Sequence, residues 1–113
     1  MTGTRLATGF WVAAKLRQIQ SVGGYASILV KGNDEAGAIN LVWRRRDGVL
    51  KLAVPAITSD SDDRRFAWRD GGFDEIELNA IMERELRFDR DQWFIECECS
   101  AIQFNDIFEL KPI

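Results

Sequence analysis

The chain has 113 residues, a formal net charge of −3, 46% hydrophobic residues and 29% charged residues. That length suits one domain able to bury roughly two-thirds of its unfolded surface. The composition excludes a disordered chain, and the acidic balance argues against generic binding to nucleic acid or anionic lipid. No apolar run approaches the roughly 20 residues a bilayer span needs. Lys15 and Arg17 interrupt the first apolar stretch, so no signal-peptide pattern forms, and a cytoplasmic protein is expected.

In chain order, Val12, Leu16 and Ile19 recur at helical spacing, and Trp11 and Ala13 widen their stripe. Lys15, Arg17, Gln18 and Gln20 are polar. This predicts an amphipathic helix over 8–22 with Thr8 as N-cap and Gly23-Gly24 as its stop. YASILVK over 25–31 reads as a buried strand, and the polar 32–37 segment as a turn. A second strand is expected over 38–45, where Ile39, Leu41 and Trp43 alternate with Asn40, Val42 and Arg44. Arg46-Asp47-Gly48 makes a hairpin turn, and a third strand over 49–54 follows, closed by Pro55. Short connections between these three strands predict an antiparallel meander.

The 58–63 stretch, TSDSDD, reads as an acidic loop. A short fourth strand is expected over 64–69, broken by Asp70-Gly71-Gly72. A second helix is predicted over 74–87. Asp74 with Glu77 three residues on suits a capping box, and Arg84 and Arg87 suit its C-terminal end. In WFIECEC over 93–99, Trp93, Ile95, Cys97 and Cys99 share one side and Glu96 and Glu98 the other, which predicts a half-buried strand. Residues 101–113 give mixed signals: Phe104, Ile107 and Phe108 suit a helical turn, Ile102 and Phe104 a strand. The expected fold is a single α+β domain over 1–113 in the order α-β-β-β-(β)-α-β. It has a mainly antiparallel four- to five-stranded sheet and two helices packed on one face, with the structure of the 101–113 tail left unassigned.

Several segments recur together in a known family. They are Phe10-Trp11-Val12-Ala13-Ala14 ending at Gly23-Gly24, the turn from Lys31 to Ala38, the Asp47-Gly48 hairpin, Asp62-Asp63-Arg64-Arg65-Phe66, and Arg87 to Trp93. In this order they resemble domain of unknown function 1491, a family of small alphaproteobacterial proteins. The resemblance runs from Arg5 to Cys99 and stops short of Ala101. It implies a single bacterial, cytoplasmic domain. The family brings no established activity, so it assigns no catalytic residue.

The chain has no histidine, which removes Ser-His-Asp and Cys-His catalysis. Two cysteines alone cannot complete a tetrahedral thiolate site. Cys97 and Cys99 would sit roughly 6.5–7 Å apart on a strand, at the edge of disulfide reach. Flanking glutamates oppose a reactive thiolate, so packed, reduced thiols are expected. Asp60, Asp62 and Asp63 could bind a hard cation or serve a carboxylate-dependent hydrolase, but they lack EF-hand spacing and are followed by arginines able to pair with them. Asp70-Gly71-Gly72 lacks a phosphate-loop pattern.

The sharpest basic feature is Arg44, Arg45 and Arg46, which with Arg64 and Arg65, and Arg69 beside them, could form a patch for an anion or a partner. Trp43 and Trp68 lie next to these arginines, but strand alternation sends Trp43 and Arg44 to opposite faces. The reading that emerges is a protein-interaction or self-assembly module without catalytic activity, cofactor or metal, whose partner is another protein or a second copy. The alternatives are a binder of nucleic acid or a phosphate-bearing ligand through the arginines, and the hydrolase.

Overall fold

The computed structural model describes residues 6–56 and 64–110. The first helix, α1 (Thr8–Ser21), begins at the residue expected to cap it. Thr8 is fully buried and its hydroxyl donates to the Gly37 carbonyl at 3.2 Å. Ala7 is the N-cap and makes no side-chain cap bond. Capping comes instead from the following loop: Thr8 and Gly9 N–H donate to the carbonyls of Glu35 and Asp34 at 3.3 and 2.8 Å. The tertiary fold thus supplies the acceptors that a side chain otherwise gives. At the other end the expected stop holds. Gly23 adopts φ +82°, and Gly23 and Gly24 N–H return to Gln20 and Ile19 carbonyls in a Schellman arrangement.

Five strands follow: β1 (Tyr25–Val30), β2 (Ile39–Arg44), β3 (Leu50–Pro55), β4 (Phe66–Trp68) and, after helix α2 (Glu75–Phe88), β5 (Trp93–Glu98). The sheet order is β1-β5-β2-β3-β4. The β2–β3 pairing is antiparallel as expected, and β4 adds to β3 in the same sense. β1 and β2 do not pair, which corrects the three-strand meander. β5 lies between them, antiparallel to β1 and parallel to β2. The physical reason is burial. Residues 93–97 of β5 are all buried, on both faces, and only the central place in the sheet provides that. The 31–38 connection can cross the end of β5 because Gly32 and Gly37 lie against it. A Cβ at either position would fall 2.1 Å from the Asp91 carbonyl oxygen.

The two faces carry separate cores. Ile39, Leu41, Ile95, Cys97 and Ala53 face α1 and a third helix, α3 (Ala101–Phe108), which contributes Phe104 and Phe108. Val42, Leu50, Leu52 and Phe94 face Leu78 and Ile81 of α2 on the opposite side. Two helices do share a face, but they are α1 and α3, and α2 makes a third layer. Of the two readings of the tail, its described part takes the helical one: Ser100 and Gln103 form a capping box, with Gln103 N–H on Ser100 Oγ at 3.1 Å. The predicted box at α2 is also present, with Glu77 N–H on Asp74 Oδ1 at 2.8 Å.

Glu96 differs from its expected solvent-facing place. It is 8% exposed, beneath α2. Arg44, on the neighbouring strand, meets it with Nε at 3.0 Å and Nη2 at 3.1 Å, and Nη2 also reaches Glu75 at the start of α2. Alternation alone cannot foresee this, because it assumes that one face of the strand is wet.

Candidate functional site

The five arginines singled out in the sequence fall into two groups. Arg44, Arg45 and Arg46 close the β2–β3 hairpin, where Arg45 N–H donates to Val49 O at 2.9 Å and Gly48 has φ +89°. Arg64 and Arg65 enter β4 beside the other end of β3, where Ala56 N–H donates to Arg65 O. The six-residue β3 separates the groups by about 17–20 Å at roughly 3.3 Å per residue.

Most of these guanidiniums already have partners. The hydrogen bonds from Arg44 to Glu96, then Glu75, raise its pKa above the usual arginine range. Arg45 pairs with Asp47 at 2.8 Å. Arg64 donates to Leu6 O at 2.6 Å and lies 5.8 Å from the Trp11 ring. Among the described residues Arg46 has no ion pair. Asp60, Asp62 and Asp63 lie outside the described residues.

Both thiols are free, on the α1–α3 face as alternation predicts. Burial first, then charge on Cys99 and Glu96, pushes Cys97 up to about 12, and burial also raises Cys99. Two consequences are measurable. Native protein should react slowly with a thiol reagent and rapidly at both cysteines once unfolded. A thiol whose folded pKa lies above its unfolded value of 9.0 favours folding below pH 9. That contribution is lost as pH rises from about 9 towards about 12. The melting temperature should therefore decline across this window, and less steeply in Cys97→Ala. Equal slopes would contradict the assignment.

Among the described residues two surface regions stand out. The first is the outer side of α1 and β1. β1 ends the sheet, and Tyr25, Ile28 and Leu29 on it are 60, 43 and 38% exposed. Beside it, Phe10, Ala13, Leu16 and Ile28 line an apolar groove of about 500 Å³, with Arg17, Lys31, Asp34 and Glu35 at its rim. The second lies across the start of α3. Two hollows of about 700 and 710 Å³ share Trp43, Arg45 and Ala101. Trp43 and Trp68 stand on one sheet face with ring centroids 5.9 Å apart, each stacked against Phe104. Sequence reasoning missed this aromatic wall because it needs α3. The available signals were Ser100 and Gln103 at capping-box spacing and Phe104 and Phe108 four residues apart.

Among the described residues no group of three His, Cys, Asp or Glu is placed to hold a metal ion, and no helix is long and apolar enough to cross a membrane. Over the described residues these features define a small three-layer α+β domain with an exposed apolar edge at β1 and an aromatic groove at α3. The family model described as Protein of unknown function (DUF1491) matches residues 6–104, and the chain belongs to that family. The match extends past Cys99 into α3. The solution structure of a protein from A. tumefaciens is similar over 97% of this chain and 98% of that one, at 37% identity and a TM-score of 0.81. A crystal structure of a DUF1491 family protein from Caulobacter crescentus is similar at 34% identity and a TM-score of 0.72, over 83% of this chain and 88% of that one. An NMR structure of a DUF1491 family protein from Caulobacter crescentus gives 33% identity and a TM-score of 0.71, over 84 and 86%. Among curated proteins none matches the chain.

Proposed function

We propose that the domain is a self-assembly module of the reducing cytoplasm, working by association rather than catalysis, and that β1 pairs with β1 of a second copy. The observation that carries this is how many of the exposed apolar side chains fall on α1, β1 and their flanks. Leu6, Phe10, Val22, Tyr25, Ile28 and Leu29, which precede, lie on or follow α1 or lie on β1, make up six of the nine exposed large hydrophobics among the described residues. Natural edge strands are usually blunted by charge or proline, and the six residues YASILV carry neither.

A second copy fits this surface for two reasons. An uncharged strand meets no like charge when it pairs antiparallel with itself. Phe10, 76% exposed, is a projecting apolar group beside an apolar groove, and a two-fold axis can seat each protomer's projection in its partner's hollow. The rim carries two cations and two anions, so opposite signs are available for both halves. A six-residue strand pair alone falls short of the roughly 800 Å² per partner of a stable interface, so the interface also takes in Phe10 and the groove beside it.

Sedimentation equilibrium tests the reading. A dimer is expected at micromolar concentration, and Ile28→Lys and Phe10→Ser should each weaken it by about tenfold or more, near 1.4 kcal/mol. Both sites are surface positions, so melting of the dissociated protomer should change little. A monomer at every concentration, or a dimer indifferent to both substitutions, would sink the proposal.

A further inference from the structure

The groove beneath α3 carries a separate inference. Its two halves meet at Trp43 and Arg45. One half is polar, with Arg45, Arg46, Ser100 and Gln103. The other is walled by Trp43, Trp68, Ile102 and Leu110 and includes Asn105. The Oδ1 of Asn105 is buried and accepts no hydrogen bond. Buried acceptors nearly always have a donor, and an amide left without one costs stability that an apolar side chain of similar size would not. An unpaired amide oxygen at this position calls for a partner that the fold itself does not supply. Asn105 lines the groove, and rotation of its amide about χ2 would turn this oxygen toward a ligand there.

We infer that this groove binds a nucleobase-bearing ligand of nucleoside or mononucleotide size. The ring would lie along Trp43 and Trp68, an N–H of the base would donate to Asn105 Oδ1, and the sugar or phosphate end would lie toward Arg45 and Arg46. The volume falls in the range of small-molecule sites, and stacking on indole tolerates any base. The rim also carries Asp47, Glu98 and Asp106. Of the three arginines there, Arg44 is held by Glu96 and Glu75, and the carboxylates offset Arg45 and Arg46, so a bare phosphate finds no net attraction and the ring must provide the affinity. This site lies apart from the β1 edge and does not depend on the dimer.

The test is an NMR titration of the full chain with adenosine, adenosine monophosphate, guanosine monophosphate and inorganic phosphate. The indole N–H signals of Trp43 and Trp68 and the side-chain amide of Asn105 should shift with a nucleoside or nucleotide. Trp93, whose Nε1 donates to Asn33 O at 2.9 Å on another side of the molecule, should stay fixed. Asn105→Leu should weaken binding by about tenfold while melting at the same temperature or higher, which a structural amide would not do. Arg46→Ala should weaken the monophosphates and leave adenosine unchanged if the phosphate reaches that end, and equal losses for both would assign the contact to the nucleoside. Absence of shifts at millimolar ligand, shifts with inorganic phosphate alone, or a lower melting temperature in Asn105→Leu would each overturn the inference.

Discussion

Arg44→Met is expected to lower unfolding free energy by about 3–5 kcal/mol, read as a fall in the urea midpoint at unchanged slope. The cause lies in what is left behind. The Glu96 side chain is 11% exposed, set in the central strand beneath α2, and both its oxygens accept from Arg44. Without the guanidinium, a carboxylate stays buried without its countercharge. The double variant Arg44→Met/Glu96→Leu removes both charges and offers apolar contact to Val42 and Phe94. It should recover most of the loss, because a buried pair contributes little beyond an apolar replacement. Glu75→Gln should cost less than about 1 kcal/mol, since Glu75 is 62% exposed. If the double variant is no more stable than Arg44→Met, the pair is not what holds this position.

The contrast between Arg44 in sequence and in structure shows where local pattern stops. Periodicity located the first two helices and five strands because each depends on the side chains of one segment. Val12 and Ile19 mark the inner face of α1 and both are buried. Asp74 and Glu77 mark the start of α2 and form its box. Strand order follows a different rule. β5 enters the middle of the sheet because Phe94 on one face and Ile95 on the other both need cover. No feature of YASILV says that its neighbour is β5 rather than β2. With β1 and β2 as neighbours, nothing in the sequence brings Arg44 to Glu96, and the arginine run reads as a surface patch. Central placement of β5 brings them together and divides the run. Arg44 becomes an interior cation, Arg45 pairs within its turn, and Arg46 faces the groove.

The third helix is only half legible, because Phe104, Ile107 and Phe108 suit a helical turn while Ile102 and Phe104 suit a strand equally well. An eight-residue helix has too few turns for apolar periodicity to stand out, and isolated helices this short are marginal in water. α3 forms because the sheet gives Phe104 and Phe108 a place to go, so its stability is almost entirely tertiary.

That dependence sets the second large effect. Phe104 is fully buried, with ring centroids 5.9 Å from Trp43, 5.4 Å from Trp68 and 4.8 Å from Phe108. Phe104→Ala should cost about 3–5 kcal/mol through lost transfer and the cavity left behind. The loss should appear locally as well as globally: amides of 104–108 should exchange far faster than those of β5, because α3 opens as a unit once its main anchor is gone. Lys15 reports the same event. Its ammonium donates to Ile107 O at 2.7 Å, and burial, partly countered by Glu109, holds its pKa below the usual value of 10.5. Release of α3 exposes that amine, so its pKa should climb back towards 10.5 in the variant. Ile102→Ala, on the 83% exposed side of the same helix, should change stability by no more than about 0.5 kcal/mol. Equal protection of α3 and β5 in Phe104→Ala would mean that the helix is held by its cap and backbone rather than by the aromatic wall.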